Sequence, residues 1–353
     1  MKPIQFVIIG AGLIGPRHAE SVLKRNDCSL FAIVDRSAKG PEVARSCDAL
    51  HFKTIHDMFL FCERYDEYPD AAIVCTPNDS HAEIGMLLAE RGIHMLVEKP
   101  MAASAVDCIR LIDYCERHNV KLLIGHHRRF NPYIVMSKEQ IHRIGTPVAI
   151  QGVWALKKHQ EYFDEKAWRR SKYSGGGTIM INLIHDLDLL HFEAGTGENP
   201  LIPHHQDVSG FYRVFGSSGT LSVPDLTLYH QNNTPAREHS WWKPVEVESL
   251  GGLFPQPKQT PEPADAFSAL TPPSSFDSKA NFGPLTQELP KPFDLQLEHF
   301  VNLITGVETE VKCSGYDALQ SLLCIEAVMK SIEQGVPQVV QTAGELRNQM
   351  HAM

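Results

Sequence analysis

The sequence lacks most of the features that would settle a function at once. It has no CxxC pair: its eight cysteines, at 28, 47, 62, 75, 108, 115, 313 and 324, are scattered, which excludes the common zinc and thioredoxin spacings. Several, such as Cys75 in AAIVCTP, lie inside apolar runs and read as small buried hydrophobes of a protein kept in a reducing compartment. It has no basic excess. Lys and Arg number 33 against 42 Asp and Glu, a formal net charge of -9, so neither nucleic acid nor an anionic membrane surface is an expected partner. No apolar run approaches the ~18 residues of a membrane span. The N-terminal MKPIQFVIIGAGLIG mimics a signal peptide, but its glycines have a better use. There is no internal repeat. A cytoplasmic protein is the expectation.

What is present is enough chain for about two domains, with 353 residues. Residues 1–125 alternate apolar, β-branched runs (IQFVIIG, LFAIVD, AAIVCT, HMLVEK, KLLIG) with helical patterns such as HAEIGMLLAERG. Runs this apolar, separated by helices, predict a parallel sheet covered on both faces. From His126 the texture changes to short runs with turn signals between them, PVAIQGVWAL, FYRVFG, GTLSV and LTLYH, as in an antiparallel sheet. Nine prolines between 255 and 292 mark a long surface loop. Two amphipathic helices follow.

Gly10, Gly12 and Gly15 form G-x-G-x-x-G between a predicted strand and a predicted helix. The pattern alone is weak. Its context here is the required one: a tight turn, a glycine with no side chain to block a pyrophosphate, and free helix N–H groups aimed at phosphate, with Leu13 and Ile14 inside the turn. The confirming acid about 20 positions on is Asp35, at the tip of the second strand. Its carboxylate suits the ribose hydroxyls of NAD. Arg36 beside it could hold the 2'-phosphate of NADP.

Two further strand ends point into the same crevice. Thr76, Pro77, Asn78 and His81 follow the third main run, although turn and N-cap chemistry accounts for Asn78 and His81 equally well. Glu98, Lys99 and Pro100 end the next run, which leaves a lysine near the cofactor where partial desolvation makes it useful.

In GGGTIMINLIHDLDLL (175–190), Asn182, His185 and Asp188 recur at three-residue spacing, while Leu183, Leu187 and Leu190 fall opposite. A polar stripe on so apolar a helix fits a site, and a histidine suits proton exchange near neutral pH. It also fits a buried histidine satisfied by the backbone. His191 lies off the stripe, so a metal set of His185, Asp188 and His191 is not expected. Tyr162, Trp168 and Arg169, together with Arg128, Arg129 and Asn131, are candidates to close over substrate or to pack between domains.

Together, GAGLIGPRHAE, VDR, TPNDSHAE, EKP, GHHRRFNP and GGG-x7-HDLD resemble the Gfo/Idh/MocA oxidoreductases. The resemblance implies an N-terminal Rossmann dinucleotide-binding domain (1–125) and a C-terminal α+β domain (126–353), whose open, mainly antiparallel sheet often joins a homo-oligomer. It implies NAD(P)-dependent hydride transfer at a secondary alcohol or carbonyl of a sugar, inositol or polyol, with Lys99 contacting substrate and assisting proton transfer, and His185 as acid or base. Asn182 and Asp188 would meet the substrate, as would Tyr162, Trp168, Arg169 and Asn131. Two departures stand out. Ile181 occupies the position where many members carry aspartate. The passage at 191–200 leaves little room for the family's long strands, so a shortened sheet is expected. They motivate two other readings: a non-catalytic NAD(H)-binding sensor, and, from some relatives, an NAD-dependent glycosidase.

Overall fold

The computed structural model describes residues 2–153, 164, 177, 179–194, 211–223, 227–230, 246–249 and 290–352. Contacts divide the chain into two compact units: 1–131 with 158–196 and 291–353, and 132–157 with 197–290.

The first unit is built on six parallel strands, β1 (Ile4–Ile9), β2 (Cys28–Val34), β3 (Leu50–Phe52), β4 (Ala71–Val74), β5 (His94–Val97) and β6 (Leu122–Ile124), in the order β3-β2-β1-β4-β5-β6. Helices α1 (Gly15–Leu23), α2 (Lys39–Ser46), α3 (Ile55–Tyr65), α4 (His81–Ala89) and α5 (Ala105–Arg117) connect them. The strands are apolar on both faces because both are covered: Phe6, Val7, Ile8, Ile33 and Ile73 are wholly buried. The order reverses beside β1, which opens a crevice at the carboxyl ends of β1 and β4. The expected Rossmann architecture is present.

The same unit contains α7 (Ile184–Ala194), α8 (Pro292–Thr305), α9 (Gly315–Gln334) and α10 (Ala343–Ala352), which follow α6 (Pro132–Gln140) of the second unit. Phe300 of α8 meets Phe6 of β1 edge-on at 6.1 Å. Asp294, in the first turn of α8, accepts a 2.5 Å hydrogen bond from Ser21 of α1. By contacts, these late helices therefore join the compact unit of the Rossmann sheet. The late helices are amphipathic because they bury their apolar faces on the Rossmann sheet and its helices.

The second unit carries an antiparallel sheet in the order β11-β10-β9-β8-β7, formed by β7 (Pro147–Val153), β8 (Phe211–Gly216), β9 (Gly219–Val223), β10 (Thr227–His230) and β11 (Glu246–Ser249). The expected antiparallel sheet is thus found, with five strands among the described residues. The passage at 191–200 lies outside them from 195 on, and so does most of the proline-rich stretch at 255–292. No helix among the described residues is long and apolar enough to cross a membrane.

Candidate active site

The turn after β1 has the geometry a dinucleotide requires. Gly10 sits at φ +103, and a Cβ there would lie 2.7 Å from the Cys75 carbonyl oxygen; one on Gly15 would lie 2.0 Å from that of Gly10. These two glycines let β1, β4 and α1 approach closely. Gly12 differs: a Cβ there meets nothing within 4 Å, so its missing side chain serves open space, where a pyrophosphate would lie. Ile14 caps α1 without a side-chain hydrogen bond, which leaves the helix N–H groups available to an anion. Leu13 is 62% exposed and Ile14 half-buried.

Asp35 follows β2 and is tied into the turn. Its Oδ2 accepts from the Ala11 amide at 2.6 Å and its Oδ1 from the Ser37 amide at 2.6 Å. Burial alone would raise its pKa, but the Ser37 hydroxyl and these two amides outweigh it and hold the carboxyl below its ordinary value. Asp35 thus stays an anion that can accept from ribose hydroxyls. Arg36 is exposed next to it.

After β4, Thr76 is half-buried and accepts a 2.8 Å hydrogen bond from Ser80, while Pro77 is exposed. Asn78 is buried, with no hydrogen-bond partner for its Oδ1 among the described residues. His81 is 1% exposed; its ring faces the Pro100 carbonyl at 2.9 Å through Nδ1 and the Thr76 carbonyl at 2.7 Å through Nε2. It clamps the two strand-end loops together, so its ring is spent inside the protein.

After β5, Glu98 is 7% exposed and pairs with His18 of α1 at 2.9 Å. Burial works against its charge, yet the hydrogen bond from His18 and the charge of Lys99 hold it well below the usual carboxylate range. The Lys99–Pro100 peptide is cis. Lys99 Nζ donates a 2.8 Å hydrogen bond to the carbonyl of Ile181. That carbonyl belongs to a single π-helical turn, Ile179–Leu183, immediately before α7. At position 181 this chain thus offers a backbone carbonyl to the lysine.

His185, in the first turn of α7, is 8% exposed, and its Nδ1 is buried without a hydrogen-bond partner among the described residues. Burial first, then the charges of Lys99 and Arg128, push its pKa well below the ordinary value, so the ring is neutral at pH 7. His127 and His126 face it edge-on, at 5.2 and 6.0 Å between ring centres. Asn182, one turn earlier, is also buried.

The helix is held in place by pairs between GHHRRFNP and HDLD. Arg128 donates to Asp186 at 2.8 Å, and Arg129 makes a two-pronged contact with Asp188 at 2.9 and 2.8 Å. Asp188 is only 1% exposed and also accepts from Ser321 at 3.2 Å. The carboxylate, expected to meet substrate, is engaged by Arg129 and Ser321 and ties the helix to the turn 127–130. Asn131 is half-buried and ends the turn His127–Phe130, its amide donating to the Arg128 carbonyl at 3.0 Å. Tyr162, Trp168 and Arg169 lie outside the described residues. No metal-holding group of His, Cys, Asp or Glu occurs among the described residues.

Sequence reasoning had no role for His18 or for His126 and His127. His18 had a legible signal, since it shares the buried stripe of α1 with Gly15, Ala19 and Val22. A polar residue on such a stripe needs a partner, and Glu98 is 80 positions away.

Comparison with known proteins places this geometry. Residues 4–126 match the NAD-binding Rossmann fold of an oxidoreductase family, and residues 138–199 match that family's C-terminal alpha/beta domain. The uncharacterized oxidoreductase YrbE of Bacillus subtilis is 24% identical over 345 residues, 95% of this chain and 96% of its own. Inositol 2-dehydrogenase of Rhizobium meliloti is 22% identical over 342 residues, 94% of this chain and 97% of its own. Among solved structures, the WlbA dehydrogenase from Bordetella pertussis, in complex with NADH and UDP-GlcNAcA, is similar in fold, with a TM-score of 0.68 and 19% identity over 97% of this chain and 99% of that one.

Two outcomes are expected. Gly12→Ala should leave thermal stability unchanged and weaken NADH binding, by fluorescence titration, about tenfold or more. Gly15→Ala should lower the melting temperature as well, because its Cβ meets backbone; equal stability losses in both variants would contradict this division of roles. The second concerns pH. Burial pushes His126 and His127 down to about 4 from an ordinary 6.5. Their folded pKa values are depressed, so the neutral rings favour the fold above pH 6.5, and that contribution is lost as pH falls toward about 4. The melting temperature should rise between those limits, and the rise should shrink in His126→Phe.

Proposed function

The chain belongs to the Gfo/Idh/MocA family of NAD(P)-dependent oxidoreductases, and on that premise we propose that it transfers a hydride between nicotinamide and a secondary alcohol or carbonyl carbon of a sugar, inositol or polyol. The observation that carries the reading is the bond from Lys99 to the Ile181 carbonyl, on the turn that leads into His185. It ties Lys99 to the turn that precedes His185, a residue 86 positions further along the sequence. That inositol 2-dehydrogenase is among the relatives covering nearly the whole chain supports the substrate class.

The turn from Gly10 to Gly15 and the carboxylate of Asp35 would hold NAD, which supplies the hydride acceptor when bound. A backbone carbonyl accepts a hydrogen bond from an ammonium group but cannot take its proton. Lys99 therefore polarises the substrate oxygen as a charged donor, and proton exchange falls to His185. The neutral imidazole is already a base at pH 7, and Nε2 is the nitrogen we assign to the substrate hydroxyl. Asn182 donates or accepts at a neighbouring hydroxyl without changing charge. Eight free thiols support a cytoplasmic setting. The open sheet, where Val148 of β7 is 74% exposed, is the surface we assign to a homo-oligomer.

The test is nicotinamide absorbance with NAD and NADP across a panel of inositols, sugars and polyols. Lys99→Met and His185→Ala should each lose about 10²-fold or more in turnover, with NADH affinity kept within about threefold. Full turnover in either variant contradicts the assignment. NADH binding without turnover on the whole panel would favour the sensor reading.

A further inference from the structure

We propose that His127 is the exit for the proton that His185 receives, an inference that rests on the reading of His185 as the base. The two rings stand edge to face at 5.2 Å, and the Nδ1 of each is buried without a hydrogen-bond partner among the described residues. Buried polar atoms left without protein partners are commonly satisfied by ordered water. We place one ordered water between the two nitrogens, at about 2.8 Å from each. The two neighbouring imidazoles are not alternatives. His126 is wholly buried, with Asp188 at 3.5 Å from its Nδ1, and so has no outlet. His18 is wholly buried and engaged with Glu98.

His127 is different because it is half-buried, whereas His18, His126 and His185 are buried. Its ring is held flat against Phe293 of α8, at 4.6 Å and 15°, which fixes its orientation. The charged and titratable groups around it are Glu98 and Lys99 from the end of β5, His126 and Arg128 from its own turn, and His185 from α7. As the carbon–hydrogen electron pair leaves for the oxidised nicotinamide, the alcohol proton goes to His185 Nε2. The imidazolium then releases its Nδ1 proton through the water to the lone pair on His127 Nδ1, and His127 loses its Nε2 proton to solvent. One proton enters and one leaves, and both rings end neutral with their tautomers reversed; ring rotation or back-exchange with solvent resets them.

The experiment is 15N–1H NMR of the full-length protein with labelled histidine and NAD bound, for wild type, His127→Phe and His127→Gln. His127→Phe keeps the stacking on Phe293 and removes the nitrogens. It should change the tautomer populations of His185, which His127→Gln, able to hydrogen-bond but not to relay, should largely preserve. With the inositol or polyol that wild type oxidises, both variants should lose on the order of tenfold in kcat with KM little changed, and added imidazole should restore part of the loss. Unchanged His185 signals in His127→Phe overturn the proposal. A dead His185→Ala alongside a fully active His127→Phe would likewise sink the relay alone, whereas an active His185→Ala would sink the assigned function itself.

Discussion

The site depends on one buried ion pair. Arg129 and Asp188, with side chains 3% and 1% exposed, join the turn after β6 to α7 in a two-pronged contact. Removing two charges from water costs several kcal/mol, and such a pair is kept only where its remaining hydrogen-bonding capacity is filled. Here Ser321 fills an oxygen of Asp188, while the Lys312 carbonyl and Asp317 take up the guanidinium. Burial opposes the charge on Arg129, but the Asp188 and Asp317 carboxylates keep it firmly protonated. With that anchor in place, Arg128 falls on Asp186 and His127 beside His185, so the position of the base follows from a pair one helical turn away.

The second constraint is the π-helical turn before α7. Its carbonyl at Ile181 takes the Lys99 ammonium. A carboxylate there could accept a proton, and a carbonyl cannot. With a carbonyl as its partner, the lysine supplies charge in the proposed reaction and the imidazole alone supplies basicity. Wider-than-usual helical turns recur at functional positions because they free backbone groups from the helix ladder.

The cofactor half of the site was legible in the sequence because its chemistry is local. Gly10, Gly15 and Asp35 act through backbone geometry within 25 positions, and spacing alone reports that. The roles of Asp188 and His81 were not legible. A helical wheel shows that Asp188 shares a face with His185, but not that a guanidinium 59 positions earlier occupies it. Likewise the loop pattern around His81 hides that its ring spans two carbonyls. The packing of the late helices was not legible for a similar reason. Amphipathic periodicity in α8 and α9 says that one face is buried, and only Phe6 against Phe300 says on what.

The most direct test of convergence between the two halves is a crystal structure of the NADH complex. The account predicts the pyrophosphate on the amides between Gly10 and Gly15, the adenosine ribose on Asp35, and the nicotinamide ring bordered by Lys99 and His185 on its substrate side. A nicotinamide turned away from both side chains, with Lys99 still on the Ile181 carbonyl, would contradict it.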